Sequence, residues 1–310
     1  MDSVENMFQS FRISDVKEDV HAYTEYLEGN ASGKITLIPT GYSLLDQLLS
    51  GGLALGDLVV LGGVPGSGKT SFMLNIALSL LQRNVRLGFL EGEMTREQIF
   101  TRMNSIYAGV SKDIVRSGKQ FERANKPFLH WLYEQPLHFV ECTERTPRKL
   151  KELIDHLASV KKCQVVFVDY LQTFRERSKG VSEYDEVSKV SALLRQLALK
   201  YKICIFAASS LNRTHVSSDD KPGLHSFRGS GQIEHDMGTG FILLGEENVD
   251  EELRNRQRKS EIHLVKGREH AKGIIGLNYN LATQGMSESA CEFHPQPVDD
   301  VFAEEDKDGF

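Results

Sequence analysis

The sequence has 310 residues, of which 26% are charged and 40% hydrophobic, and its net charge is −6 at neutral pH. These values are typical of a globular protein in water, and the lack of any run of about 18 apolar residues excludes a transmembrane helix. The N-terminus has neither the basic region nor the apolar region of a secretory signal, so we expect a cytoplasmic protein with no membrane contact.

The cysteines also indicate a cytoplasmic protein. Cys142, Cys163, Cys204 and Cys291 are scattered along the chain, and none forms a C-x-x-C pair. Cys163 and Cys204 fall in or beside apolar stretches. We therefore expect buried thiols in a reducing environment rather than disulfides or zinc ligands.

The negative charge is concentrated at the C-terminal end. Residues 288–310 contain eight acidic residues and one lysine, so the remainder of the chain is close to neutral. A near-neutral domain can bind nucleic acid through a local basic stripe, and the net charge does not exclude this. The segment 287–310 also contains Pro295 and Pro297 and lacks periodicity, which predicts a disordered acidic tail.

The N-terminal arm, residues 1–34, contains one amphipathic pattern. Val16, Val20, Tyr23 and Leu27 recur at a spacing of three to four, which predicts a helix over 14–28 that ends at Gly29. The apolar stripe of such a helix needs a partner surface.

Residues 35–286 alternate between short apolar runs and helical patterns. The predicted strands span 58–64, 85–91, 137–141, 164–170, 203–209, 240–245, 261–267 and 273–279, and the predicted helices span 69–83, 96–107, 148–160 and 187–201. Short apolar strands separated by helices indicate a mostly parallel sheet covered on both faces. We predict a single α/β domain, although the length alone would allow two.

The segment GVPGSGKT, residues 63–70, is a complete G-x-x-x-x-G-K-[ST] phosphate-binding motif between a strand and a helix. Its backbone N–H groups and the helix N-terminus favour phosphate charge. The predicted residues that bind ATP, or another nucleoside triphosphate, are Gly63, Pro65, Gly66, Ser67, Gly68, Lys69, Thr70 and Ser71. Lys69 would reach the β- and γ-phosphates, and the Thr70 hydroxyl would bind Mg²⁺.

Two later segments carry candidate carboxylates. QVVFVDY places Asp169 at the end of an apolar strand, which favours a role at Mg²⁺ over a turn cap. FLEGEM places Glu91 and Glu93 after the strand that follows the P-loop helix. Either could orient the attacking water or carry charge at the next helix N-terminus, and we favour Glu93 as the catalytic base.

In order and spacing, these segments resemble the ATPase domain of DnaB-type replicative helicases, within the RecA-like superfamily. The resemblance extends over residues 14–285 and includes GVPGSGKT, FLEGEM, VDYLQTF, SSLNR (209–213), SFRGSGQIEHDM (226–237) and LVKGREHAKG (264–273). It implies a RecA-like P-loop core and a ring, typically a hexamer, that moves 5′ to 3′ on single-stranded DNA and unwinds duplex during replication.

The resemblance also assigns roles to residues outside the P-loop. Arg228, Gly229 and Gly231 would lie in a channel loop that grips the DNA backbone without reading bases. From the residues alone, a flexible surface loop is the better interpretation. Lys266 and Arg268 would reach the γ-phosphate bound to the neighbouring subunit, and the N-terminal helix would pack on an adjacent subunit.

Three features depart from the family pattern. The helical N-terminal domain that docks primase has no counterpart in this sequence, which suggests a minimal helicase of a phage or mobile element. Ser210 replaces the glutamine that contacts the γ-phosphate in the family, and the segment around Glu91 is one residue longer. The acidic tail loosely resembles tails that dock on replication partners. Two rival functions are a RecA-like recombinase or mediator, and an ATP-switched assembly protein with little turnover.

Overall fold

The structure is a computed structural model that describes residues 15–31, 37–176, 182–211, 223–227, 230–245, 257–267 and 273–289. Its helices are α1 (Val16–Ala31), α2 (Ser43–Leu48), α3 (Lys69–Gln82), α4 (Arg96–Ala108), α5 (Lys112–Ser117), α6 (Lys126–Tyr133), α7 (Pro147–Ser159), α8 (Glu183–Tyr201) and α9 (Ser230–Asp236). A π-helical turn (Phe121–Asn125) and 3₁₀ turns (Leu171–Thr173, Leu224–Ser226) complete the helical segments.

The strands are β1 (Leu37–Ile38), β2 (Leu53–Ala54), β3 (Leu58–Gly63), β4 (Leu87–Glu91), β5 (Leu137–Glu141), β6 (Val165–Asp169), β7 (Cys204–Ser210), β8 (Thr239–Gly245), β9 (Gln257–Gly267), β10 (Gly273–Asn280) and β11 (Met286–Glu288). Nine of them form one sheet in the order β11-β10-β9-β8-β3-β7-β6-β4-β5, and β1 and β2 form a separate pair. The six strands from β8 to β5 are parallel, whereas β9, β10 and β11 are antiparallel to their neighbours. The mostly parallel sheet flanked by helices confirms the predicted α/β architecture.

The sheet separates two hydrophobic cores because its central strands are buried on both faces. In β6, Phe167 packs into the core formed with α3, α4 and α6, whereas Val166 and Val168 pack into the core formed with α7, α8 and α9. Successive side chains of a strand point to opposite faces, which explains the continuous apolar run of β6. Such burial holds the carboxyl ends of the central strands at fixed positions.

The antiparallel strands extend the sheet beyond the predicted elements. Ser287 and Glu288, predicted to begin the disordered tail, instead pair with β10 as part of β11. The carboxylate of Glu288 accepts hydrogen bonds from the Leu45 N–H at 2.9 Å and the Ser43 hydroxyl at 3.0 Å. These bonds cap α2 and explain why the ordered chain runs past the predicted boundary. The rest of the acidic tail lies outside the described residues.

The predicted arm helix is present as α1, but it continues through Gly29 to Ala31. A single glycine in a helix costs only about 1 kcal/mol, so it does not have to end the helix. Val16, Val20 and Leu27 are 70%, 59% and 47% exposed, so the apolar stripe is largely uncovered. Among the described helices, none is both long and apolar enough to cross a membrane.

Two further comparisons concern the helical segments and the cysteines. The helical segments between 112 and 133 were not predicted, because their apolar positions follow no long repeat. Cys142, Cys163 and Cys204 are buried free thiols, as predicted, and burial raises the pKa of Cys142 and of Cys163 to about 11.

Candidate functional site

The phosphate-binding loop joins β3 to α3 at the carboxyl edge of the sheet. Gly66 and Gly68 have φ values of +83° and +106°, which favour glycine over residues with a Cβ. The ammonium group of Lys69 donates to the carbonyl oxygens of Gly63 at 2.7 Å and Val64 at 3.1 Å. The lysine therefore lies across the mouth of its own loop, where a phosphate group would compete for the same donor.

Thr70 and Asp169 lie side by side at this edge. The Thr70 hydroxyl donates to Asp169 Oδ2 at 2.6 Å, although the two residues are 99 positions apart. Burial raises the pKa of Asp169, while the Thr70 hydrogen bond and the Lys69 charge oppose this rise. Burial lowers the pKa of Lys69, and the charges of Asp169 and Glu93 oppose that change. Burial thus disfavours the charged form of each group, and the neighbour of opposite charge favours it.

The two glutamates after β4 occupy different environments. Glu91 is buried, and its Oε1 accepts the N–H groups of Glu93 at 2.7 Å and Met94 at 2.9 Å. Glu93 is exposed at the cleft. Burial and, to a lesser degree, the Asp169 charge raise the pKa of Glu91 to about 7. Glu91 therefore supports the turn that presents Glu93 to the cleft.

Gly92 makes this turn possible. A Cβ on Gly92 would lie 2.5 Å from Thr173 Cγ2, closer than van der Waals contact allows. The N–H of Gly92 donates to the Asp169 carbonyl at 3.0 Å, which joins the ends of β4 and β6. The segment that is one residue longer than the family pattern is thus a compact turn from β4 to α4 that is hydrogen-bonded to the end of β6.

A cleft of about 630 Å³ collects most of the predicted nucleotide residues. It is lined by Pro65, Gly66, Gly68, Lys69, Thr70, Ser71, Glu93, Met94, Arg102, Lys112, Asp169, Tyr170, Ser210, Tyr279, Leu281 and Gln284. Arg102, Lys112, Tyr279 and Gln284 were not predicted, because they lie in helices and a hairpin that carry no phosphate motif. A second cleft of about 640 Å³, bounded by α3, α4 and β11, contains no residue predicted for the site.

The residues of the first cleft fit a nucleotide with its metal ion. A Cβ placed on Gly66 would meet no atom within 4 Å, so the loop is open beside its backbone. The Ser67 hydroxyl is buried and has no hydrogen-bond partner among the described residues. The hydroxyl of Thr70 and the carboxylate of Asp169 are the hard oxygen ligands that Mg²⁺ prefers.

The end of β7 connects the cleft with the segment before the predicted DNA loop. Ser210 lines the cleft and pairs with Gly63. The next residue, Leu211, forms a β-bridge with Phe227. A Cβ on Gly62 would lie 2.7 Å from both of these side chains, so they pack directly against the strand that leads into the P-loop.

Other predicted residues lie away from the cleft or outside the described residues. Gly231 is exposed at the start of α9, whereas Arg228, Gly229 and Arg268 are not described. Lys266 lies near the end of β9, opposite Gly240. Its ammonium group donates to the Glu234 carbonyl of α9.

A pH-dependent stability difference follows from the burial of Glu91. The raised pKa means that the folded chain keeps a proton that the unfolded chain loses near the ordinary value of 4.5. The contribution of this proton to the free energy of unfolding is complete below pH 4.5 and is lost as the pH rises through about 7. Glu91→Gln should therefore gain stability relative to the parent between about pH 5 and 8, by up to about 3 kcal/mol.

Urea unfolding of both proteins across this pH range measures the difference. Glu134→Gln, at an exposed position after α6, is the matched control and should show no such trend. A stability difference between Glu91→Gln and the parent that stays constant with pH would contradict the assignment.

Comparisons with known proteins agree with this geometry. The family described as DnaB-like helicase C terminal domain matches residues 38–288. Replicative DNA helicase DnaB of Helicobacter pylori strain J99 is 30% identical over 304 residues, which cover 89% of this chain and 62% of the relative. A probable plasmid replicative DNA helicase of Chlamydia psittaci is 31% identical over 253 residues, covering 79% and 54%. The chain thus spans little more than half the length of these relatives.

Two solved structures share the fold. One, described as an ATPase domain, superposes with a TM-score of 0.78 at 18% identity, covering 90% of this chain and all of that one. The structure of a DnaB-like replicative helicase and its interactions with primase superposes with a TM-score of 0.73 at 19% identity, covering 89% and 67%. The family match spans most of the sequence and confirms the resemblance inferred from the motifs. The chain belongs to the DnaB-like helicase C-terminal domain family.

Proposed function

We propose that this chain is an ATP-hydrolysing motor that assembles into a ring, by resemblance a hexamer, and moves along single-stranded DNA to unwind duplex. The main support for this proposal is that the predicted site residues lie in two separate places. Lys69, Thr70, Asp169 and Glu93 meet at one cleft, whereas Lys266 lies at the opposite end of the sheet. A complete site then needs a second copy of the chain.

The cleft residues support hydrolysis in the following way. Lys69 would leave the carbonyls of Gly63 and Val64 and neutralise the β- and γ-phosphates. Thr70 and Asp169 would hold Mg²⁺, which supplies electrostatic stabilisation of the transferring phosphoryl group. Glu93, exposed at the cleft, would orient the attacking water.

The path of β9 supports action between subunits. This strand is antiparallel to β8, so Arg258 at its start is near the P-loop and Lys266 is near the other edge. Eight residues of extended strand separate them by about 25 Å, which no lysine side chain can bridge. This distance supports a role for Lys266 at a neighbouring subunit and not in its own cleft. Arg268, which lies outside the described residues, is proposed for the same role by resemblance.

DNA binding is proposed for the loop between Phe227 and α9. The names of the relatives describe replicative DNA helicases, and in this chain the loop would provide Arg228 as a backbone cation, with glycines beside it. The bridge between Leu211 and Phe227 supplies a short physical route from that loop to the cleft.

Steady-state ATP hydrolysis with and without single-stranded DNA tests the motor. We expect strong stimulation by DNA and no turnover by Lys69→Ala. Arg228→Ala should bind DNA more weakly regardless of its sequence, with a shallower dependence on salt. ATP binding without turnover, with or without DNA, would instead support the ATP-switched assembly protein.

The choice of catalytic carboxylate is tested separately. Glu93→Gln should lower kcat by about 10² or more, the usual effect of removing a general base, and leave Mg·ATP binding intact. Glu97→Gln, at an exposed position in the first turn of α4, should retain the parent rate. If Glu93→Gln turned over normally while Glu91→Gln did not, the role would pass to Glu91.

A mixing experiment tests action between subunits. Lys266→Ala should lose hydrolysis yet bind ATP, and Lys259→Ala, on the same strand, should keep its activity. Mixed assemblies of Lys266→Ala and Lys69→Ala should regain activity, because some interfaces then combine an intact P-loop with an intact Lys266. Mixtures as inactive as each variant alone would contradict sharing of the site.

A further inference from the structure

A second cation, Arg258, contacts the phosphate-binding loop from outside the cleft. It is the second residue of β9, and its side chain reaches across to the loop that follows β3. Its Nη1 donates to the Gly66 carbonyl at 3.1 Å, and its Nη2 donates to the Ser67 carbonyl. One guanidinium thus holds two successive peptide groups of the loop.

The surroundings of Arg258 hold its planar head in one place. The guanidinium lies over the ring of Tyr279, with 5.1 Å between the guanidinium carbon and the ring centroid. A Cβ on Gly245 would lie 2.8 Å from the guanidinium carbon, closer than van der Waals contact allows. The guanidinium therefore fits a slot between the Tyr279 ring and a glycine that leaves room for it.

Tyr279, whose ring forms one side of this slot, is itself hydrogen-bonded to the P-loop helix. The Tyr279 hydroxyl is 2.9 Å from the Ser71 hydroxyl and donates to Gln284 Oε1 at 2.9 Å. Ser71 donates to the same oxygen at 2.7 Å. Because Ser71 is in the first turn of α3, the slot and the phosphate-binding loop form one connected unit.

The next feature of Arg258 is the electrostatic surroundings of its guanidinium group. Among the residues that the structure describes, none with a carboxylate pairs with this guanidinium, and its Nε meets no hydrogen-bond partner. Burial lowers the pKa of Arg258, but a guanidinium keeps its proton in proteins. A half-buried positive charge thus lies directly behind a loop that would bind a polyphosphate.

The two hydrogen bonds also affect the direction of a neighbouring N–H group. In a trans peptide the C=O and N–H groups point in opposite directions. With the Ser67 carbonyl turned toward Arg258, the N–H of Gly68 points away from it, and a charged donor on the carbonyl polarises the peptide and strengthens that N–H as a donor. The Ser67 N–H is already used, since it donates to Val64 within the loop.

Resting on the proposed function, we infer that Arg258 is a positioning residue for the nucleotide. It fixes the peptide groups of Gly66 and Ser67 from behind and adds a positive charge to the phosphate site. Its effect falls on nucleotide binding more than on the chemical step, because the charge acts on bound phosphates before and during hydrolysis.

Calorimetric titration of the full chain with Mg·ADP, and steady-state hydrolysis of ATP, test this inference. Arg258→Met keeps much of the apolar stem but removes the charge and the two donors. We expect the Kd for Mg·ADP and the KM for ATP to rise about tenfold, the order expected for lost charged hydrogen bonds, while kcat changes less than about threefold. Arg258→Lys keeps the charge without the planar fork and should give an intermediate Kd.

Lys259→Met is the matched control, since it makes the same kind of change at the next residue of the strand, which faces the other way and is exposed. It should bind Mg·ADP as the parent does. A purely structural role predicts a lower Tm for Arg258→Met with an unchanged Kd, and that result would overturn the inference. If Arg258→Met does not fold, the Kd of Arg258→Lys for Mg·ADP tests the inference instead. A Kd equal to the parent's would overturn the inference.

The same titration separates this inference from the proposed function. A parent chain that binds no Mg·ADP would contradict the proposed nucleotide site and, with it, the role of Arg258. A parent that binds Mg·ADP, with both Arg258 variants binding equally well, would remove the positioning role alone.

Discussion

The parallel pairing of β3 with its neighbours is the constraint on which the rest of the structure depends. In parallel strands all carboxyl ends meet at one edge, so the P-loop after β3 and Asp169 at the end of β6 are brought together from distant parts of the sequence. Burial of these strands on both faces makes the positions rigid. The 2.6 Å hydrogen bond between Thr70 and Asp169 is a direct product of that register.

The same rigid strands hold two acidic side chains in buried positions, where ionisation is unfavourable. Asp169 and Glu91 end neighbouring strands in direct register, and burial raises the pKa of both. Two buried acids so close together are more readily ionised when a cation is near. Lys69 supplies one cation, and the proposed Mg²⁺ would supply the larger charge. The arrangement therefore favours a divalent ion between the P-loop and β6.

The sequence predicts the parts of this site that are set by local pattern. Lys69, Thr70 and Asp169 follow from a glycine-rich motif and an acid at the end of an apolar strand, and the structure places them together. The pattern favours Glu93 over Glu91 but could not predict their different environments, because these depend on a turn that needs Gly92 beside Thr173 and two N–H groups bonded to Glu91. Arg258 could not be found either, since its partners are 191 and 192 residues away.

The same reasoning bears on the serine that replaces the family's glutamine. Ser210 lines the cleft, but its side chain is shorter than a glutamine and would extend less far into it. The route from the cleft to the proposed DNA loop does not rely on that reach, because Leu211 pairs with Phe227 through the backbone and both pack against Gly62. Phe227 and Leu211 are almost fully buried, so a movement of the strand entering the P-loop displaces the residue next to Arg228. If the proposed function holds, communication between nucleotide and DNA depends on packing at Gly62 and not on the length of the side chain at 210.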